Sequence, residues 1–391
     1  MKTAALWFYL GTLISSVGSF TFNICLVAFM VKGGYDLFHI SLILGFQRLV
    51  PLFVSGLLGH YTDALSAKMT VVFAEIGAAL ATFGILWAWD QGASAYWYLF
   101  AFTLLKTSIV AFQAGSKAKI TKLLGDSSYS SSANHAIWFN KATQGGTFFA
   151  GIVAFPIILF WNFEAAIWFD LLTFLVSGAI VFFLPISETK SEKLEPTNTG
   201  VLTKFTDFYK HNPRAAALDL VLAISMMGTT SFTARLAGND QKWMAVFIGG
   251  YGLAVWISGF IERSQMLKNR SLTFWMGLGI SYALLGFFPE RGFLTLSLAL
   301  AKDTFYWLLL HRISSHIQMD TPEKVMGAVS SARITQMVLV LAIGELLVGT
   351  WSKIVPVAYD GLWRGAFCLL VFFALRSPKY QGEEKYGYAK L

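Results

Sequence analysis

The chain is a succession of apolar runs of about 20 residues parted by short polar connections, the length an α-helix needs to cross a bilayer core. The runs are continuous and lack the period-two alternation of lipid-facing strands, which disfavours a membrane barrel. Spans are predicted near residues 4–31, 38–59, 69–89, 95–116, 136–159, 163–185, 214–236, 242–261, 272–288, 292–313, 325–350 and 355–375. The longest polar stretch, Ser187 to Asn212, is rich in Lys, Glu, Thr and Asn and parts the spans six and six. The expected organisation is an amino-terminal six-helix half over residues 1–186, a cytoplasmic linker over 187–213, and a carboxy-terminal six-helix half over 214–391 with a short cytoplasmic tail. The linker is either solvated or, through Phe205, Phe208 and Tyr209, partly laid on the membrane surface as an amphipathic helix. The fold class is therefore an all-α integral membrane protein of twelve transmembrane helices.

Composition narrows the function classes. Of 391 residues, 55% are hydrophobic and 13% charged, against roughly a quarter charged in soluble domains. A large soluble catalytic domain is excluded. The net charge of +8 would suggest nucleic acid only on a soluble basic face, and topology explains much of it instead. With the amino terminus inside, the even-numbered loops and both termini carry 19 of the 30 Lys and Arg residues and the opposite side five. By the positive-inside rule both termini lie in the cytoplasm. Cys25 and Cys368 sit within apolar runs, so neither a disulfide framework nor a thiolate metal site is implied, and no metal or cofactor is expected. Met1 and Lys2 open an apolar stretch to Met30, longer than a signal-peptide core, which is taken as the first span. The expected surroundings are lipid, and the expected state is a monomer.

The two halves echo one another. Ile14-Ser15-Ser16-Val17-Gly18-Ser19 in the first span matches Ile224-Ser225-Met226-Met227-Gly228-Thr229 in the seventh, and Ser55-Gly56 matches Ser258-Gly259. Lys106 lies midway along the fourth span and Lys302 midway along the tenth, while Lys141-Ala142-Thr143-Gln144 is answered by Arg333-Ile334-Thr335-Gln336. The consistent order implies a parallel repeat, an arrangement in which substrate sites form at the repeat interface near the bilayer midplane.

Gly59-His60-Tyr61-Thr62-Asp63-Ala64-Leu65-Ser66-Ala67-Lys68, between spans two and three, resembles the signature loop of the major facilitator superfamily, with Gly59, Asp63 and Lys68 in place. Ile14 to Ser19, Ser132-Ala133-Asn134, Ala165 to Asp170, and Thr321 to Gly327 resemble the branch that contains siderophore exporters and macrolide-efflux proteins. The resemblance implies the major facilitator fold, secondary active export by alternating access, protons as the coupling ion, and a bacterial inner-membrane location. It also implies a gating role for Gly59, Asp63 and Lys68. Physically, Gly59 permits close helix approach, and Asp63 can face a helix amino terminus, whose partial positive charge favours an anion.

Charge within the membrane is costly, so it marks function by default. The internal bases are Arg48, Lys106, Lys141, Lys302, Arg333 and Arg364, and the internal acids Glu75, Asp170, Asp303 and Glu345, an excess of positive charge. Helical spacing puts Thr103, Lys106, Gln113 and Lys117 on one side of span four, Ser16, Ser19 and Asn23 on one side of span one, and Asn134, Trp138, Lys141 and Gly145 on one side of span five. The candidate substrate groups are an anion clamp of Lys106, Lys302 and Arg333 with Lys141 and Arg48. Asn23, Gln47, Gln144 and Gln336 are candidates for hydroxyl or amide groups, and Trp138 and Tyr306 for the carbon skeleton. The competing reading is that each base neutralises an acid between helices. Glu75 and Asp303 are the candidate proton carriers.

The positive charge in the path implies an anionic, hydroxylated or carboxylate-bearing metabolite, and the resemblance implies that it is exported, with a carboxylate-type siderophore the leading candidate. Drug or macrolide efflux and a membrane channel are the alternatives. An enzyme is not expected: His311 and His316, the most closely spaced histidines, stand five apart, an angular mismatch for one helix face. No glycine loop followed by Lys-Ser or Lys-Thr suggests a nucleotide-driven pump.

Overall fold

The computed structural model describes residues 2–124, 129–186, 206, 208–210, 213–238, 240–262, 271–290, 292–320, 326–352 and 354–376. The first six spans are α1 (Lys2–Lys32), α2 (Leu37–Ala64), α3 (Ala67–Asp90), α4 (Tyr96–Leu124), α5 (Tyr129–Phe160) and α6 (Phe163–Phe183). There follow α7 (Pro213–Ser225), α8 (Thr229–Ala237), α9 (Gln241–Glu262), α10 (Ser271–Phe287), α11 (Phe293–Asp320), α12 (Met326–Trp351) and α13 (Val357–Arg376). Among the described residues nine helical stretches are long and apolar enough to cross a membrane, with α7 and α8 taken together, and Gly145–Phe160, Lys242–Ser258 and Ser271–Phe287 are shorter apolar helices. Together they account for the twelve expected crossings.

Helix α3 shows how sequence selects a face. Ala67, Val71, Ala74, Glu75, Ala78, Thr82, Ile85 and Ala88 are buried, whereas Phe73, Ile76, Leu80, Phe83 and Trp87 are exposed. The spacing of three and four residues makes a single stripe, and the exposed side carries the larger apolar groups. That inversion suits a helix whose outer solvent is lipid, where small inner residues allow close packing. Ser66 caps the helix, its hydroxyl accepting from Met69 N at 3.4 Å.

The chain forms two compact units: Met1–Asp36 with Phe46–Thr197, and Leu37–Gly45 with Asn198–Leu391. In the first, α1 packs on α5 and α6, and α3 on α4 and α6. In the second, α7 packs on α12, and α10 on α11 and α13. Third-with-fourth, third-with-sixth and first-with-fifth neighbours thus recur in both units, the packing expected of a parallel repeat. The α10 and α13 backbones nearly touch, since a Cβ on Gly361 would lie 2.7 Å from the Gly286 nitrogen.

The seventh span differs from the continuous helix expected over 214–236. It breaks at Met226 to Gly228, where Gly228 takes a left-handed φ of 60° and a Cβ there would sit 2.4 Å from Val348 Cγ2. Glycine is required on both counts. Most of the linker lies outside the described residues. At its end Phe208 is fully buried and the Tyr209 hydroxyl donates to Gln336 Oε1 at 2.5 Å, so these two residues dock on the second unit.

Candidate functional site

Two buried ion pairs form the polar heart of the first unit. Lys106 Nζ on α4 donates to Asp170 Oδ2 on α6, which also accepts from Thr82 Oγ1 at 3.4 Å. The ammonium rests 3.6 Å from the centre of the Phe22 ring on α1, a contact strengthened by desolvation. Two turns along α3 and α6, Glu75 Oε1 accepts from Lys117 Nζ at 2.8 Å and from the Ser177 hydroxyl at 3.2 Å, and Ser15 donates to Glu75 Oε2 at 3.2 Å. Asp170 and Ser177 stand seven residues apart on α6, as do Glu75 and Thr82 on α3. The heptad spacing keeps all four on one seam. Thr103 and Gln113, the other members of the stripe expected from span four, are buried on α4 with Lys106, and Ser116, which that stripe did not include, is buried as well.

The second unit gathers its charges around the break in the seventh span. Glu345 on α12 accepts from Thr230 N and Ser231 N, both at 3.3 Å, and from the Ser231 hydroxyl at 2.8 Å. It therefore caps the amino terminus of α8, where unpaired N–H groups and the helix dipole favour an anion. Arg364 on α13 caps the other side of the break, Nη1 donating to the Ser225 carbonyl at 2.9 Å and Nε to Asp360 at 2.8 Å. Lys302 on α11 donates to Thr229 Oγ1 at 3.3 Å and lies 2.6 Å from Asp303. Arg235 bridges to Asp360 at 3.1 Å and to the Val355 carbonyl. Farther along, Arg333 on α12 pairs with Asp219 on α7 at 2.9 Å, and Gln336 donates to the Ala216 carbonyl at 3.2 Å.

The structure brings several expected site residues together and gives them partners. Gln47 donates to Asn23 at 3.2 Å, Arg48 is partly buried, and Tyr306 is buried. Lys106, Lys302 and Arg333 each hold an acid of their own unit. Lys68 donates to the Leu184 carbonyl at 2.8 Å, closing the end of α6. Trp138, Lys141 and Gln144 on α5, and Gly59 and Asp63 in α2, lie on helical backbone with side chains outside the described residues. The excess of internal positive charge needs revision, because Asp219 and Asp360 are also buried within the second unit. Both fell inside the predicted spans, and Asp360 stands four residues before Arg364, the helical ion-pair spacing. Counting every acid in the spans would have found them.

Outside the spans, burial, followed by the charge of Asp219, pushes the Tyr209 phenol above its usual value. The phenol therefore remains a donor to Gln336 at neutral pH.

The sequence matches no protein-family model and no curated protein. Solved structures share its architecture. The nucleoside transporter NupG is 12% identical over 95% of this chain and 98% of its own, with a TM-score of 0.70. The human organic anion transporter MFSD10 (TETRAN) is 16% identical over 96% of this chain and 99% of its own, with a TM-score of 0.68. A POT family transporter in complex with 5-aminolevulinic acid is 9% identical over 96% of each chain, with a TM-score of 0.73. At these identities the fold is what is shared, an all-α fold of the major facilitator type. Each of these neighbours is a transporter, and none is an enzyme.

Proposed function

We propose that the protein is a secondary active transporter that exports a small carboxylate-bearing anion in exchange for protons, by alternating access across a bacterial inner membrane with both termini in the cytoplasm. A carboxylate-type siderophore is the leading candidate. The observation that carries this reading is a buried lysine midway along the fourth span of each six-helix unit, Lys106 at 4% and Lys302 at 2% exposure, each held chiefly by one aspartate. A substrate carboxylate can pair with such a lysine in place of its aspartate. In this scheme Glu75 and Asp303 carry protons, Arg333, Lys141 and Arg48 assist the anion, and Gly59, Asp63 and Lys68 gate the change of access. Among the fold neighbours, transport of organic anions and binding of 5-aminolevulinic acid, itself a carboxylate, agree in chemistry.

One observation favours a second reading, efflux of amphipathic drugs. The buried bases of both units face aromatic rings, Phe22 against Lys106, and Phe232, Tyr282 and Trp363 around Arg364, and their charges are balanced by acids. Deleting the gene and analysing medium and cytosol by mass spectrometry separates the two. Export of a carboxylate predicts that an iron-binding small acid leaves the medium and accumulates in the cell. Unchanged secretion of every such acid, with raised drug sensitivity, overturns it in favour of drug efflux.

A further inference from the structure

Within the second unit, Arg333 and Asp219 form a pair that is engaged on one side only. The guanidinium donates from Nε to Asp219 Oδ1 at 2.9 Å, and its two terminal nitrogens make no hydrogen bond among the described residues. The Arg333 side chain is 16% exposed and that of Asp219 fully buried. Asp219 Oδ2 nevertheless receives no donor among the described residues. A carboxylate oxygen withdrawn from water is costly until a donor is supplied. The pair thus presents a planar fork of N–H groups, matched to the two oxygens of a carboxylate, and beside it an acceptor that lacks its donor.

The neighbouring turn fixes this geometry. Gln336, three residues after Arg333 on α12, has both ends of its amide engaged: Nε2 donates to the Ala216 carbonyl at 3.2 Å, and Oε1 accepts from the Tyr209 hydroxyl at 2.5 Å. Ala216 stands three residues before Asp219 on α7, so the contacts of Gln336 and Arg333 tie the same two helices one turn apart. Gln336 is therefore a positioning residue here, and the open acceptor belongs to Asp219. Tyr209 feels the charge of Asp219 and is itself 39% exposed, which gives the cluster an edge at solvent. A carboxylate on the terminal fork would be separated from Asp219 by little more than the width of the guanidinium. Two anions that close repel unless a donor stands on the second oxygen. A plain carboxylate is thus disfavoured, and one with a hydroxyl on its α or β carbon is selected.

We propose that Arg333 and Asp219 form a recognition site for a hydroxycarboxylate, in which the terminal nitrogens of Arg333 hold the carboxylate and Asp219 Oδ2 accepts the ligand's hydroxyl. Asp219 is then the residue that sets specificity. An aminocarboxylate fits less well, because an ammonium brings three N–H donors to one open acceptor and a further charge to a pair already balanced. The inference rests on the carboxylate-export reading and narrows its substrate class.

The test is isothermal titration calorimetry of the full-length protein in lipid nanodiscs, at neutral pH and fixed ionic strength. It compares malate with succinate and aspartate, in which the hydroxyl is replaced by hydrogen and by ammonium. Malate should bind at least about tenfold more tightly than succinate, the factor that a hydrogen bond to a charged acceptor supplies, and more tightly than aspartate. Asp219→Asn turns its one amide oxygen to Arg333 and should lose most of the preference for malate over succinate, a ratio that a purely structural role would not move. Arg333→Lys keeps the charge opposite Asp219 but has no fork, and should weaken malate and succinate alike. Equal affinity for malate and succinate, tighter binding of aspartate, binding of none of the three, or a malate preference that Asp219→Asn leaves unchanged would each overturn the proposal. Should Asp219→Asn fail to fold, Asp219→Glu decides, because it keeps the charge and displaces the acceptor by a methylene: an unchanged preference overturns the proposal, and a reduced one supports it. Failure here leaves the secretion defect of the deletion strain intact. Failure of the export reading removes that defect while the preference for malate remains measurable.

Discussion

Replacing Asp170 by Asn leaves the Lys106 ammonium buried with little beyond the faces of Phe22 and Phe174, at 3.6 and 5.4 Å, to offset its charge. Uncoupling one member of a buried pair costs about 3–5 kcal/mol, whereas exchanging both members for apolar residues of similar volume is neutral or gains about 1–4 kcal/mol. The Phe22 contact, worth about 2 kcal/mol when desolvated, should keep the single variant near the lower bound. Equilibrium unfolding in mixed micelles should therefore show Asp170→Asn reducing the folded-to-unfolded ratio by more than about a hundredfold. Lys106→Met with Asp170→Leu should return within about 1 kcal/mol of the unaltered protein. If Lys106 also binds substrate, that double variant folds and fails to transport. Equal destabilisation of the single and double variants would refute the premise that Asp170 neutralises Lys106, and would leave the lysine unpaired.

Three further outcomes follow from the same geometry. Gly228→Ala places a methyl group at a left-handed φ and 2.4 Å from Val348 Cγ2, so it should cost at least about 1–3 kcal/mol in unfolding measurements, and Val348→Ala should recover part of the loss. Docking of the linker end through Tyr209 should persist to about pH 10 and weaken above it. The folded phenol titrates above the ordinary value, so its stabilisation is complete below the unfolded pKa and is lost as pH rises through the folded one. Tyr209→Phe should abolish that alkaline step in limited proteolysis of the linker. Glu75→Gln keeps an acceptor for Ser15 and Ser177 but strands Lys117, and should cost about 3–5 kcal/mol. Lys117→Met in the same chain should restore most of the stability.

The architecture was legible because membrane folding leaves few options: apolar runs of spanning length, the asymmetry of Lys and Arg, and paired motifs in the two halves all point to twelve helices. The stripe of Thr103, Lys106, Gln113 and Lys117 was readable for the same reason, since one helix face has one period. Partnership was not. Lys106 meets Asp170 across 64 residues and Arg333 meets Asp219 across 114, and spacing within a helix carries no information about which neighbouring helix supplies the acid. The break at Gly228 was hidden by composition, because Met226 and Met227 continue an apolar run while a single glycine ends the helix. Glu345 was visible as an internal acid, but its role as a cap depends on that break.

The most direct test of the central claim is made in everted membrane vesicles with an acidified lumen, to which the carboxylates accumulated by the deletion strain are added while a pH-sensitive dye reports the gradient. Proton-coupled export predicts that the gradient dissipates saturably in vesicles that contain the protein and is undisturbed in vesicles that lack it. A gradient unaffected by any of these acids, or a flux of acid that never saturates and ignores the gradient, as in a channel, would contradict the account.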